Sequence, residues 1–172
     1  MTAGATPSQT VGPFFQFAFD WLAERPLVPP GSPDALTIWG HIFDGAAEPV
    51  PDAVVEIYQA APPGPARPGW PAFGRSCTDP TGVYRFVTAK PSRVDERQSP
   101  HVEVSVFARG LLQRVWTRCY FPDEAVANAS DPVLQAIAGG GRVDTLIARP
   151  DPAGLRFDIH LQGDHETVFF DW

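Results

Sequence analysis

Two side chains in this sequence are spaced for chemistry on a shared surface. His101 and Glu103 sit two residues apart in the run His101-Val102-Glu103-Val104-Ser105-Val106-Phe107. On a strand, that spacing sends both side chains out of the same face. An imidazole beside a carboxylate can ligate a divalent metal weakly, and the ordinary alternative is a structural histidine next to a surface acid. His160 and His165 are the other candidates for such a site, in a homomeric enzyme using a different metal. His160 falls on the polar side of the last strand and His165 follows the turn at Gly163-Asp164, so both read as surface residues. Cys77 and Cys119 lack metal-ligand spacing and read as free buried thiols of a reducing compartment. No motif for nucleotide binding, zinc binding or nucleophilic catalysis is evident.

The elements that must position these residues follow from hydrophobic periodicity. Leu36 to Phe43 alternates with period two, putting Leu36, Ile38, Gly40 and Ile42 on one face, and Asp44-Gly45 closes it. Ala53 to Gln59 reads as a second strand, followed by a Pro- and Gly-rich loop over Ala60 to Ala72. Strands at Gly74 to Thr78 and Val83 to Thr88 flank the turn Asp79-Pro80-Thr81-Gly82 and are expected to form a hairpin. His101 to Phe107 sets Val102, Val104 and Val106 against the core, and Gln113 to Phe121 follows as its successor. Acids after Pro122 open a short helical insert, Ser130-Asp131-Pro132 caps its second part, and Gly139-Gly140-Gly141 ends it. A last strand is expected over Leu155 to Gln162, with a further short one at Thr167 to Phe170. Short strands at regular spacing with one helical insert and long loops describe an all-β sandwich.

Composition agrees. The 172 residues, 44% of them apolar, are enough for one sizeable core, so one domain is expected over 1–172. A formal charge of −7 disfavours nucleic acid and anionic membranes as partners. The stretch Met1-Thr2-Ala3-Gly4-Ala5-Thr6-Pro7-Ser8 has no basic segment leading into an apolar run, and nothing elsewhere is long enough to span a bilayer, which points to the cytoplasm. The aromatic cluster Phe14, Phe15, Phe17, Phe19 and Trp21 has no clean alternation, and contact with another chain is its expected fate.

Several segments, taken in order, carry a resemblance. They are Thr6 to Phe14, Val55-Glu56-Ile57-Tyr58-Gln59-Ala60, Phe73-Gly74-Arg75-Ser76-Cys77-Thr78-Asp79 through Tyr84-Arg85-Phe86, Pro100 to Arg109, Arg118-Cys119-Tyr120-Phe121, and Leu155 to the end. Together they resemble the intradiol ring-cleaving dioxygenases, and within them the small subunits that hold no metal. The resemblance implies the sandwich of that family. It also implies ferric iron held by two Tyr phenolates and two His imidazoles in the catalytic chains, the His pair coming from a His-x-His strand.

At the matching positions this chain has His101 but Glu103, and neither Ala60 to Ala72 nor Lys90 to Pro100 contains a tyrosine. Tyr58, Tyr84 and Tyr120 match structural positions. The resemblance therefore implies no metal on this chain, with Fe(III) on an iron-bearing beta subunit of the same family in an alpha–beta assembly. A family Gln falls at Arg118, and a family Arg falls three positions before the first His, at Gln98. His101, Glu103 and Arg118 are thus vestigial metal-site positions by resemblance; if Glu103 and Arg118 project into one cavity, an ion pair fills the vacated space, and the alternative is two unrelated exposed charges.

By resemblance, Thr10, Gly12, Pro13 and Arg109 line the partner's substrate pocket, the N-terminal arm 1–35 packs on the partner, and 36–172 forms the core. The implied substrate is a small aromatic acid with adjacent hydroxyls, whose carboxylate a guanidinium such as Arg109 suits. No catalytic residue is assigned to this chain. A binding or scaffolding protein that keeps the fold without ring cleavage remains open beside this reading.

Overall fold

The computed structural model describes residues 4–19, 25–65 and 68–171. Trp21 lies outside them. Two sheets pack face to face as a β-sandwich. Strand β1 (Leu36–Phe43) is the spine of the first sheet, and β2 (Val54–Tyr58), β3 (Phe73–Cys77), β4 (Val83–Thr88), β5 (His101–Phe107) and β6 (Val115–Tyr120) follow it. Beyond the helical insert come β7 (Arg149–Asp151), β8 (Gly154–Arg156) and β9 (Ile159–His160). The first sheet runs β4-β1-β8-β7 with β9 also on β1, and the second runs β3-β2-β5-β6. The alternation that defines each strand sends Ile38, Ile42, Phe86, Phe157 and Ile159 from one sheet and Val55, Ile57, Val102, Val104 and Val106 from the other into a common core. Leu27 and Val28, within the segment assigned to the arm, are already buried, and Leu27 N–H donates to the Val87 carbonyl at 2.8 Å.

Strands β3 and β4 do not form the expected hairpin. The turn itself is as read: the Asp79 carboxylate accepts the N–H groups of Thr81 (2.7 Å) and Val83 (3.1 Å), and Gly82 takes φ +79°. However, β3 pairs with β2 and β4 pairs with β1, so the turn is a corner between the sheets. The final strand is also interrupted. β8 and β9 keep one parallel register on β1, Ile38 to Leu155 and Ile42 to Ile159, but between them the Asp158 carboxylate takes the His41 N–H at 3.0 Å. A side chain has displaced a main-chain acceptor from the ladder. At the same break, Gly40 lies against the Phe157 carbonyl, where a Cβ would collide, and the buried Tyr84 hydroxyl donates to that carbonyl.

Residues 167–170 form no strand; Thr167 N–H bonds the His160 carbonyl at 2.9 Å and Phe170 N–H the Trp116 carbonyl at 2.8 Å. The short β7 was not anticipated. Both cysteines are free as expected, though Cys77 is only half-buried. The insert contains α1 (Ala125–Ser130) and α2 (Pro132–Ile137). Asp131 caps α2 by accepting the Val133 and Leu134 N–H groups at 2.8 and 3.1 Å, with Pro132 at the first helical position. A second small core of Tyr120, Leu134 and Leu146 joins the insert to β6. No helix among the described residues is long and apolar enough to cross a membrane.

Candidate functional site

His101 and Glu103 leave the outer face of β5, the strand flanked by β2 and β6. The antiparallel register sets Tyr120 opposite His101 and places Tyr58 and Arg118 on either side of Glu103. The three positions assigned to a vestigial site therefore do converge, beside a cavity of about 360 Å³ whose walls include Tyr58, Gln59, Trp70 and Val94.

Of the two alternatives for Glu103 and Arg118, a loose ion pair is present: Arg118 Nη2 and Glu103 Oε1 are 3.7 Å apart, with Arg118 nearly buried and Glu103 37% exposed. The stronger tie is to Gln98, the position matched above to a family Arg. Arg118 Nη1 donates to Gln98 Oε1 at 2.9 Å, and Gln98 Nε2 in turn donates to Asp95 Oδ2 at 2.9 Å. With Glu103 partly in water, losing its pairing costs less than a fully buried charge would.

His101 is 3% exposed, and its Nδ1 is 2.8 Å from the Ser99 carbonyl, which fixes the Nδ1–H tautomer. Burial, with the nearby Arg118 cation, lowers its pKa against the opposing pull of Ser99, Glu103 and Asp131, so the ring is held neutral. The Tyr120 ring lies 5.3 Å from it, centroid to centroid. Burial pushes the Tyr120 hydroxyl up to about 12, and that hydroxyl donates toward Asp131 Oδ1 at 3.4 Å. Asp131 also accepts the Ser99 N–H at 2.8 Å, so one carboxylate both caps α2 and anchors the loop that enters β5. No local signal in the sequence joins Ser99 to Asp131, 32 residues on.

The other four assigned residues form a second patch, beyond the far end of β5. Thr10 Oγ1 accepts the Gly110 N–H at 2.8 Å, which pins the arm to the loop carrying Arg109. Arg109 Nε meets Asp52 Oδ2 at 2.6 Å; Asp52 is buried and Arg109 stays 54% exposed. Gly12 and Pro13 lie on the surface in a turn closed by Phe15 N–H on the Gly12 carbonyl at 3.1 Å, and a Cβ at Gly12 would meet nothing within 4 Å. The aromatic cluster divides. Phe15 packs on Phe19 and Phe107, and Arg75 stacks 4.1 Å over Phe19, whereas Phe14 and Phe17 are 75% and 56% exposed and stack on each other.

A dioxygenase family model matches residues 24–163. The chain belongs to the intradiol dioxygenase family. It is 37% identical over 195 aligned positions to the protocatechuate 3,4-dioxygenase alpha chain of Burkholderia cepacia, covering 99% of this chain and 98% of that one. To the alpha chain of Pseudomonas putida it is 35% identical, covering 97% and 96%. The beta chain of the Burkholderia enzyme is 30% identical over 78% of this chain and 67% of its own length. Among solved structures, the dioxygenase domain of a dioxygenase carbohydrate-binding protein fusion from Streptomyces sp. SirexAA-E superposes with a TM-score of 0.59 at 24% identity, covering 93% and 99%, and shows the fold.

Intradiol dioxygenases as a family imply non-haem iron, and the residues here do not fit it. Glu103 stands where the second imidazole is expected, and Arg118 brings a fixed positive charge to the place of a trivalent cation. Tyr120 is the one phenol beside His101, and burial opposes its ionisation. Tyr84 is committed to the Phe157 carbonyl in the core, and Tyr58, across from Glu103, is 58% exposed. Among the described residues, no three His, Cys, Asp or Glu side chains are grouped to hold a metal ion.

Proposed function

We propose that this chain is the non-catalytic alpha subunit of a protocatechuate 3,4-dioxygenase, the enzyme that cleaves 3,4-dihydroxybenzoate with O2 to 3-carboxy-cis,cis-muconate. The iron is held by a beta subunit of the same family, and the reaction runs there. The observation that carries this reading is Arg118 beside His101 and Glu103: a guanidinium tied to Gln98 and facing Glu103 puts a fixed positive charge where a metal ion would have to sit.

This chain's own contribution is the wall of the partner's pocket. The arm, fixed at Thr10 by the Gly110 N–H, presents Gly12 and Pro13 as an unobstructed turn suited to a flat ring. The exposed Phe14 and Phe17 stack is the apolar surface that the partner covers, and the rest of the chain, through the sandwich, supports it as one unit. Arg109, oriented by the buried Asp52, places a positive charge near the carboxylate of the substrate.

Co-expression with an iron-bearing beta chain tests this. A stable complex that consumes O2 with 3,4-dihydroxybenzoate is the expected result. A complex without turnover would make the chain a scaffolding protein, and turnover by this chain without a partner would overturn the division of labour.

A further inference from the structure

A second cleft, on the other sheet, brings two arginines and two histidines together beside two aspartates, on a chain whose net charge is −7. Strands β7 and β8 pair antiparallel with Arg149 directly opposite Arg156, so the two guanidinium side chains share a face. Like charges so placed repel unless something lies between them. Both line a cavity of about 290 Å³ together with His160 and His165, whose rings are 6.0 Å apart. His160 is held by stacking on Phe43 at 4.9 Å, and Phe43 in turn stacks on His41 at 5.5 Å.

The polar groups of the walls sort into those already committed and those still open. Asp158 is committed: one oxygen accepts the His41 N–H at 3.0 Å and the other accepts Arg156 Nε at 2.8 Å. His41 Nδ1 lies 3.5 Å from the same carboxylate. Thr145 Oγ1 donates to the Arg142 carbonyl at 2.7 Å and accepts the Val168 N–H, and Thr167 Oγ1 accepts the His160 N–H at 3.0 Å. What remains open is mostly donors. Among the described residues, the Arg149 side chain has no hydrogen-bond or ion-pair partner, and Arg156 bonds through its Nε alone while its guanidinium lies 5.2 Å over the Trp39 ring. Asp144 is the one carboxylate in the wall without a committed partner, and it opposes an anion.

We infer that this cleft binds a compact oxyanion, a carboxylate or a phosphate, bridged between Arg149 and Arg156 with His160 and His165 as further donors. Paired guanidiniums match the two-oxygen edge of either group, and burial, with the neighbouring Arg149 and against the pull of Asp158, lowers the His160 pKa. A bound anion offsets part of that lowering and favours the protonated His160 ring, so binding tightens on acidification.

Isothermal titration of the full chain with inorganic phosphate and, separately, with citrate tests the inference at about pH 6 and about pH 8. Saturable binding of at least one probe, tighter at the lower pH, is expected; which probe binds identifies the source. Arg149→Gln, at an exposed edge position that spares the core, should weaken binding about tenfold, and Asp144→Asn should strengthen it. No saturation by either probe at about 10 mM, or equal affinity in wild type and Arg149→Gln with unchanged thermal stability, overturns it.

Discussion

Arg118 Nη1 donates to Gln98 Oε1 at 2.9 Å, a tighter contact than its 3.7 Å approach to Glu103. Arg118→Met should therefore cost about 1.5–3 kcal/mol of stability in urea unfolding, the range for a hydrogen bond to a charged group. Exchanging the pair, Gln98→Arg with Arg118→Gln, should recover part of that loss. A double-mutant cycle with zero coupling would show that the two residues act independently.

Gly40 and Tyr84 together hold the Phe157 carbonyl where the last strand breaks. Gly40→Ala drives a methyl into main-chain atoms that cannot rotate away, so a loss of about 3 kcal/mol or more is expected. Tyr84→Phe keeps the packing and deletes one buried donor, with an expected loss of about 1–3 kcal/mol. Calorimetric unfolding compares the two, and the order of the effects is the test.

His101 sets a pH dependence whose sign can be worked out. Its folded pKa lies below the unfolded value of about 6.5, because burial and Arg118 disfavour the charged ring. The neutral imidazole therefore contributes stability that is complete above that unfolded value and is lost as pH falls toward the folded pKa. His101→Gln should flatten this part of the stability–pH curve, measured by urea midpoints between about pH 7 and pH 5. An unchanged slope in the variant would locate the dependence elsewhere.

Phe14 and Phe17 are exposed and touch chiefly each other, so replacing both by serine should leave the thermal midpoint of the isolated chain unchanged. The same double substitution should weaken assembly with the beta subunit about tenfold or more, read by analytical ultracentrifugation. Thr10→Val, which removes the acceptor for the Gly110 N–H, should lower turnover of the assembled enzyme more than it lowers affinity between subunits.

Most of the sandwich was legible because strands with one buried face carry a period-two pattern, and the boundaries of β1 and β4 follow directly from it. The hairpin was misread because Asp79-Pro80-Thr81-Gly82 makes the same turn whether its strands pair or part. What parts them is the pairing of β3 with β2 and of β4 with β1, which no local signal carries. Asp158 broke the last strand for a similar reason: its carboxylate reaches the His41 N–H, 117 residues away in sequence. At the candidate site, the positions of His101, Glu103 and Arg118 were readable from spacing and resemblance. Gln98, Asp131 and Asp52 became important only through contacts made by the folded chain.

The central claim is that ring cleavage depends on iron carried by another subunit. Metal analysis with visible absorption, performed on this chain purified alone and on its complex with the beta subunit, tests it most directly. The account predicts one ferric ion per alpha–beta pair with a phenolate charge-transfer band in the complex, and neither in the isolated chain. Stoichiometric ferric iron with that band in the isolated chain would contradict it.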